Sequence, residues 1–168
     1  MSKIKTIDLT KKYDDFVAND RINLTVEQGE IKCIVGENGA GKSTTIRLIL
    51  DSLRRDGGTI AVYGKDNRTL TAPEREDIGV VLDEVGLPEY LNAAQTGRMM
   101  AGIFTRWQPE VYAGYLRQFA LPADKPFKDY SRGMKMKLGL AAALSHQPKL
   151  LLLDEATSGL DPVVRDEI

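Results

Sequence analysis

A glycine-rich segment carries the clearest chemistry in this sequence. Residues 36–44 read Gly-Glu-Asn-Gly-Ala-Gly-Lys-Ser-Thr, which fits the spacing G-x-x-x-x-G-K-[ST]. Glycines let backbone N–H groups approach anionic oxygens, the lysine adds a full positive charge, and the serine hydroxyl can bind Mg²⁺. The segment therefore predicts a cradle for the phosphates of a nucleoside triphosphate. The residues predicted to hold the nucleotide here are Gly36, Asn38, Gly39, Ala40, Gly41, Lys42, Ser43 and Thr44.

The elements on either side of this segment must position it. The apolar run 31–35 predicts a strand, and apolar residues spaced for one face of a helix follow the cradle, at Ile46, Ile49, Leu50 and Leu53. The alternative is that the glycine segment is a flexible surface turn. The order strand, glycine turn, helix makes this alternative less favoured. The free N–H groups at the start of the helix would add to the attraction for phosphate.

Two acids follow a second apolar run. Four leucines at 150–153 predict a strand buried on both faces, and Asp154 and Glu155 come directly after it. In P-loop enzymes a carboxylate at this place binds Mg²⁺, which we expect of Asp154, and the next one can polarise the attacking water. Glu155 is therefore the candidate catalytic base.

Bulk composition excludes several classes of protein. The 168 residues carry a formal net charge of −1 with scattered Lys and Arg, so we expect no nucleic-acid partner. The single cysteine, Cys33, predicts a buried, inert thiol in a reducing compartment. No apolar run approaches the roughly 20 residues that span a bilayer, so any membrane connection would run through a partner. The single histidine, His146, precedes Pro148 at a helix end and is expected on the surface, without a catalytic role.

The remaining patterns predict an α/β fold. Alternating residues at 4–9 and the run 22–26 predict an antiparallel β element at the N-terminus, and strands are expected at 59–63 and 78–82. Residues 88–128 have a helical texture, with a capping box at Asn92 and Gln95 and a helix start at Pro109. We expect a P-loop core at 1–83 and 130–168 and a small helical subdomain at 84–129.

A phosphate cradle alone leaves kinases, GTPases and motor ATPases open. The order of the further motifs resembles the ATP-binding subunit of an ABC transporter, from Tyr13 to the end of the chain. The matches are the cradle, the run Tyr-Ser-Arg-Gly-Met at 130–134, and the block Leu-Leu-Leu-Leu-Asp-Glu-Ala-Thr-Ser-Gly-Leu-Asp-Pro at 150–162. The resemblance implies a single cassette with a RecA-like P-loop core that uses ATP and Mg²⁺.

The same resemblance implies roles for residues outside the cradle. Ser131 and Gly133 begin a predicted helix, and in this family that helix start meets the γ-phosphate bound to a second copy, so two chains pair head to tail. Asp161 belongs to the same composite site, and Tyr13 matches the aromatic residue that stacks on adenine. The implied partners are a second ATP-binding subunit and transmembrane permease subunits, which would hold the protein at the cytoplasmic face of the plasma membrane.

Three segments depart from the family pattern. Asp83 stands where most members have glutamine after the strand 78–82; it is expected to bind Mg²⁺ and, without the metal, to repel phosphate. Nucleotide binding is therefore expected to depend steeply on Mg²⁺. The signature has Arg132 and Met134 where Gly and Gln are commoner, and Ala156 replaces the usual proline. The first two departures resemble bacterial exporters.

Three functions remain open from the sequence. The leading one is an ATPase subunit that drives an exporter; the others are an ABC ATPase without a membrane partner and a regulatory ATP-binding module with poor turnover. Residues 163–168 have a helical pattern without a terminator, so the chain is expected to end inside a helix, before the family's switch histidine. A single copy that ends there is expected to bind ATP and hydrolyse it poorly.

Overall fold

A computed structural model describes residues 2–154 of the chain. The chain divides into two compact units, Met1–Ala72 and Pro73–Ile168. The predicted helical subdomain, 84–129, falls inside the second unit and stays a prediction. None of the helices in the described part has the length and apolar character needed to cross a membrane.

The first unit is built on an antiparallel sheet. Its elements are β1 (Ser2–Tyr13), β2 (Phe16–Glu27), α1 (Lys42–Ile49), β3 (Gly57–Val62) and β4 (Lys65–Asp66). The strands lie in the order β2-β1-β3-β4, with every neighbouring pair antiparallel. The buried apolar residues of this unit come from β1, β3 and α1, and they include Ile4, Leu9, Leu48, Ile49, Ile60 and Val62. The predicted N-terminal antiparallel element is therefore confirmed.

The predicted strand at 31–35 is wrong. No strand within residues 2–154 pairs with this segment, and Ile31 and Val35 are 90% and 92% exposed. An apolar run becomes a strand only where a neighbouring strand completes its hydrogen bonds, which the pattern itself does not report. Cys33, expected to be buried, is exposed because it lies in this segment.

The second unit combines a parallel strand pair with helices. Its elements are α2 (Ala72–Glu76, beginning at the boundary), β5 (Ile78–Val81), α3 (Ala93–Ile103), α4 (Pro109–Gln118), α5 (Arg132–Leu144) and β6 (Leu150–Leu153). β5 and β6 run parallel in register, with Ile78 opposite Leu150. α5 is buried on more than one face and supplies Met136, Leu138 and Leu140, each at most 2% exposed. This mixed α/β arrangement, with the antiparallel element of the first unit, confirms the predicted fold class.

Two predicted helix starts are confirmed in the second unit. The Asn92 side chain accepts a hydrogen bond from the backbone N–H of Gln95 at 2.8 Å, and the Gln95 side chain accepts one from the N–H of Asn92 at 2.9 Å. This reciprocal pair is the expected capping box. Pro109 is the first residue of α4, where its missing N–H leaves no hydrogen bond unmade.

The prediction that His146 lies on the surface is wrong. Its side chain is buried at 2% exposure, and its ring stacks on Phe104 with the ring centroids 4.1 Å apart. The apolar surroundings lower the pKa of His146, because burial disfavours the charged imidazolium. The helix end and Pro148 indicated a position near a turn, but they do not show that Phe104, which follows α3, packs on the His146 ring.

Candidate nucleotide-binding site

The glycine segment lies in the first unit and leads directly into α1. Gly39 and Gly41 both have φ 86°, a left-handed conformation, and Gly41 is the residue that precedes the first helical residue, Lys42. The ammonium of Lys42 donates hydrogen bonds to the carbonyl oxygens of Gly36 at 2.7 Å and Glu37 at 2.9 Å. The loop therefore curls back over the start of α1, with a full positive charge held against it.

These residues fit a phosphate group. α1 begins at Lys42, and the backbone N–H groups at the start of a helix attract anions. A Cβ atom at Gly41 would lie 2.3 Å from the carbonyl oxygen of Ala18, so only glycine permits this close turn. The lysine ammonium, the amides and the glycine turn together form the donor set that a polyphosphate requires.

The contrast between the two left-handed glycines can be tested by stability. Gly41→Ala is expected to lower the free energy of unfolding by about 2–3 kcal/mol, since it adds both a clash and backbone strain. Gly39→Ala is the matched control: it has the same φ but nothing within 4 Å of the added Cβ, so about 1 kcal/mol of strain is expected. Urea unfolding followed by circular dichroism measures both. Equal losses in the two variants would contradict the close approach to Ala18.

Two buried asparagines that the sequence analysis missed fix α1 at both ends. The Asn19 side-chain amide donates to the Thr45 hydroxyl at 2.7 Å, and that hydroxyl donates to the Gly41 carbonyl at 2.9 Å. At the other end, the Asn67 amide donates to the carbonyl oxygens of Leu48 at 2.7 Å and Ile49 at 3.0 Å. Both asparagines belong to no motif, and no local pattern signals their roles. They hold the helix that carries Lys42 and Ser43.

The expected metal-binding carboxylates of the second unit lie at one edge of its parallel strand pair. Asp154 follows β6 directly, is 3% exposed, and donates its backbone N–H to the Val81 carbonyl at 2.9 Å. Asp83 follows the neighbouring strand β5 by two residues. Since the carboxyl ends of parallel strands meet at the same edge, both acids lie at the edge where α/β proteins bind ligands. Two carboxylates there fit a hard divalent cation.

Asp83 also makes a contact that the sequence analysis did not anticipate. Its carboxylate accepts a hydrogen bond from the Arg132 guanidinium at 2.5 Å. Arg132 is the first residue of α5, so the pair joins the loop after β5 to the start of this helix. The side chain of Ser131, expected to face a phosphate, accepts the backbone N–H of Met134 at 3.2 Å, and Gly133 lies in the first turn of the helix. The predicted start of this helix at Ser131 is thus confirmed as a capped N-terminus.

Tyr13 lies at the end of β1, where it pairs with Phe16 across the turn to β2. Its side chain is 44% exposed, and the ammonium of Lys11 lies 5.1 Å from the centre of its ring. An exposed ring at a hairpin turn is suited to stacking on a base, which stays a prediction. Glu155 and Asp161 lie outside the described residues.

The comparisons with known proteins identify the family. A family model described as ABC transporter matches residues 19–158. Among curated relatives, BcrA of Bacillus licheniformis, a bacitracin transport ATP-binding protein, is 36% identical over 162 residues, covering 95% of this chain and 53% of the relative. DrrA of Streptomyces peucetius, a daunorubicin/doxorubicin resistance ATP-binding protein, is 39% identical over 172 residues, covering 98% and 52%. The chain therefore spans about half the length of these two relatives. YbhF of Escherichia coli strain K12, a probable multidrug ABC transporter ATP-binding protein, is 36% identical over 169 residues. That match covers 98% of this chain and 29% of YbhF.

Solved structures agree with the family match. An ATP-binding subunit of an ABC transporter superposes with a TM-score of 0.84 at 27% identity, covering 97% of this chain and 70% of that one. The cbiO1 protein of Clostridium perfringens, part of the ABC transporter complex cbiONQ, gives 0.75 at 29% identity, covering 99% and 70%. These matches confirm the resemblance that the motifs indicated: the chain belongs to the ABC transporter family, among its ATP-binding proteins.

Proposed function

We propose that this chain binds ATP together with Mg²⁺ and hydrolyses it to drive an ABC exporter. The observation that carries the proposal is the geometry of the glycine segment. Lys42 and the start of α1 present a full charge and the positive end of a helix around a turn that only glycine can make at position 41.

The proposed roles follow the chemistry of each side chain. Lys42 holds the outer phosphates. The Mg²⁺ ligands are proposed from the sequence motifs alone: the Ser43 hydroxyl and the carboxylates of Asp154 and Asp83. When bound, Mg²⁺ offsets the negative charge that develops on the phosphates. Glu155 accepts a proton from the attacking water, and its position directly after Asp154 in the sequence supports this role.

A second copy of the chain is the proposed partner in this site. In this proposal the capped start of α5, with Ser131 and Gly133, would present its backbone amides to an anion, here the γ-phosphate of ATP on the other copy. Asp161 is proposed to take part in the same composite site. Closure of the pair by ATP and its opening after hydrolysis would provide the mechanical step.

The conformational change of the pair is proposed to act on membrane subunits. The relatives BcrA and DrrA are named for bacitracin transport and for drug resistance, which favours export for this chain too. The proposed helical subdomain, residues 84–129, and the loop before α3 would contact these subunits. The protein would then lie at the cytoplasmic face of the membrane without spanning it.

Nucleotide titration tests whether the glycine segment binds the outer phosphates of ATP. ATP with Mg²⁺ is expected to bind at least about tenfold more tightly than AMP, because AMP lacks the two outer phosphates that Lys42 and the amides would hold. Isothermal titration calorimetry on the whole chain measures both affinities. Equal affinities for ATP and AMP would show that the glycine segment does not hold the outer phosphates and would overturn the proposal.

A further inference from the structure

We propose that the connection between α3 and α4 is a strap that opens in mild acid, with His146 as the group that senses the pH. The strap is residues 104–108, from the end of α3 to the start of α4. Every residue that takes part lies in the second unit. The proposal concerns regulation, and it does not depend on the proposed binding of ATP.

Two consecutive acids hold the strap in place. The backbone N–H and the hydroxyl of Thr105 donate hydrogen bonds to the Glu76 carboxylate, at 3.2 Å and 2.8 Å. The guanidinium of Arg106 pairs with the Asp77 carboxylate at 2.6 Å. Both acids directly precede β5, so two side chains tie the strap to the start of this strand. These contacts are partly exposed, and exposed ion pairs are weak, so the strap can open without unfolding the unit.

The His146 ring lies beneath this strap. Its centroid is 4.1 Å from that of the Phe104 ring, and the two ring planes are 7° from parallel. The neighbouring residue, Ser145, accepts a hydrogen bond at its carbonyl oxygen from the backbone N–H of Gln108 at 2.9 Å. With the strap in place the histidine side chain is 2% exposed. Opening the strap would therefore expose the imidazole to water.

The surroundings of His146 favour its neutral form. Burial is the main cause of its lowered pKa, and the positive charge of Arg106 acts in the same direction. The Glu76 carboxylate and the nearby backbone carbonyls of residues 78 and 142 act in the opposite direction, but more weakly than burial. Within residues 2–154, neither ring nitrogen makes a hydrogen bond of normal geometry. The other charged groups on the elements around the ring are Arg75, Asp77, Glu84 and Lys149.

The direction of the pH effect follows from these surroundings. An imidazole in water has a pKa of about 6.5, and the imidazole under the closed strap has a lower one. Below about pH 6.5 the open form takes up a proton that the closed form does not, so falling pH favours opening. Above that pH both forms are neutral, and the strap is held most firmly. The ratio of open to closed strap is therefore expected to rise about tenfold between about pH 7.5 and about pH 5.5.

Opening would also change a groove beside the ring. Phe104 and His146 both line this groove, which has a volume of about 350 Å³ and is otherwise lined mainly by apolar residues such as Val80, Leu82 and Met100. Removal of the phenylalanine from the histidine would alter one wall of it. The strap therefore connects the pH to the shape of a surface on the second unit.

Hydrogen exchange of the whole chain, followed by mass spectrometry and corrected for the intrinsic exchange rate at each pH, tests the proposal. The backbone N–H groups of Thr105 and Gln108 have partners outside the strap, so their exchange reports its opening. Peptides that cover residues 104–108 are expected to lose about tenfold in protection between about pH 7.5 and about pH 5.5. Peptides from β1 are the internal control and should keep their protection, because the first unit contains no histidine.

Two variants separate the histidine from the ties of the strap. His146→Phe keeps an aromatic ring to stack on Phe104 but cannot be protonated, so the tenfold pH effect should disappear. Glu76→Gln is the matched control. It should lower the protection of the strap at both pH values but keep the tenfold ratio between them, because His146 remains.

A titration by NMR keeps the test decisive if His146→Phe does not fold. The chain has one histidine, so the ring signal is assigned without ambiguity, and its pKa is expected to be below the ordinary value. Four results would overturn the proposal: unchanged protection of the strap, a tenfold loss that persists in His146→Phe, a His146 pKa at or above the ordinary value, or an equal loss of protection in α5. The last would mean that acid unfolds the whole unit.

Discussion

Replacing Lys42 with alanine is expected to weaken ATP binding by at least about a hundredfold. The ammonium lies against the glycine segment, 2.7 Å and 2.9 Å from the carbonyl oxygens of Gly36 and Glu37. A single compact cation facing several phosphate charges contributes more than an ordinary surface ion pair, and a hundredfold loss corresponds to about 3 kcal/mol. Calorimetric titration of ATP in Mg²⁺ measures the change.

Two control variants show whether a loss of ATP affinity in Lys42→Ala comes from the missing side chain at position 42. One removes a lysine elsewhere in the unit, and the other keeps the charge at position 42 but changes the shape of the group. Lys5→Ala removes an exposed lysine from β1 of the same unit and should leave the affinity within about twofold. Lys42→Arg keeps the charge but spreads it over a planar group, and is still expected to bind poorly because the turn accommodates a compact ammonium. Circular dichroism should remain unchanged in all three variants. Tight ATP binding by Lys42→Ala would refute the cradle assignment itself.

Local chemistry is what the sequence predicts well in this protein. Four features depend only on a residue and the backbone within a few positions of it: the turn at Gly41, the capping box of Asn92 with Gln95, the start of α4 at Pro109 and the cap at Ser131. Each of these signals depends on the residue type and its spacing, which are printed in the sequence. The glycine turn that is proposed to bind phosphate belongs to this class, because its signal is local too.

Long-range packing is what the sequence could not predict. Asn19 meets Thr45 across 26 residues, and Arg132 meets Asp83 across 49. Neither contact leaves a periodic signal, because each depends on the fold bringing two polar groups together. The burial of His146 under Phe104 has the same origin. The apolar residues at 31–35 were predicted to form a strand from their pattern alone. A strand also needs a neighbouring strand to pair with, and the pattern does not report whether one is present.

Replacing Glu155 with glutamine is expected to reduce the rate of ATP hydrolysis about 10²- to 10⁴-fold while the ATP affinity stays within about twofold. A glutamine side chain keeps the size of glutamate but cannot accept a proton, and general-base catalysis contributes about this factor. Single-turnover hydrolysis of radiolabelled ATP, at high protein concentration so that two copies can pair, measures the rate. Glu110→Gln, at an exposed glutamate in the first turn of α4, is the matched control and should keep the rate of the unmodified chain.

The same measurement separates an enzyme from a regulatory ATP-binding module. If the unmodified chain hydrolyses ATP no faster than Lys42→Ala, the chain holds ATP without turning it over, and the regulatory reading is favoured. If Glu155→Gln turns ATP over as fast as the unmodified chain, Glu155 is not the base and the role assigned to it is wrong. A large loss of rate with unchanged affinity assigns proton transfer to Glu155, because removal of a binding contact would raise the dissociation constant as well.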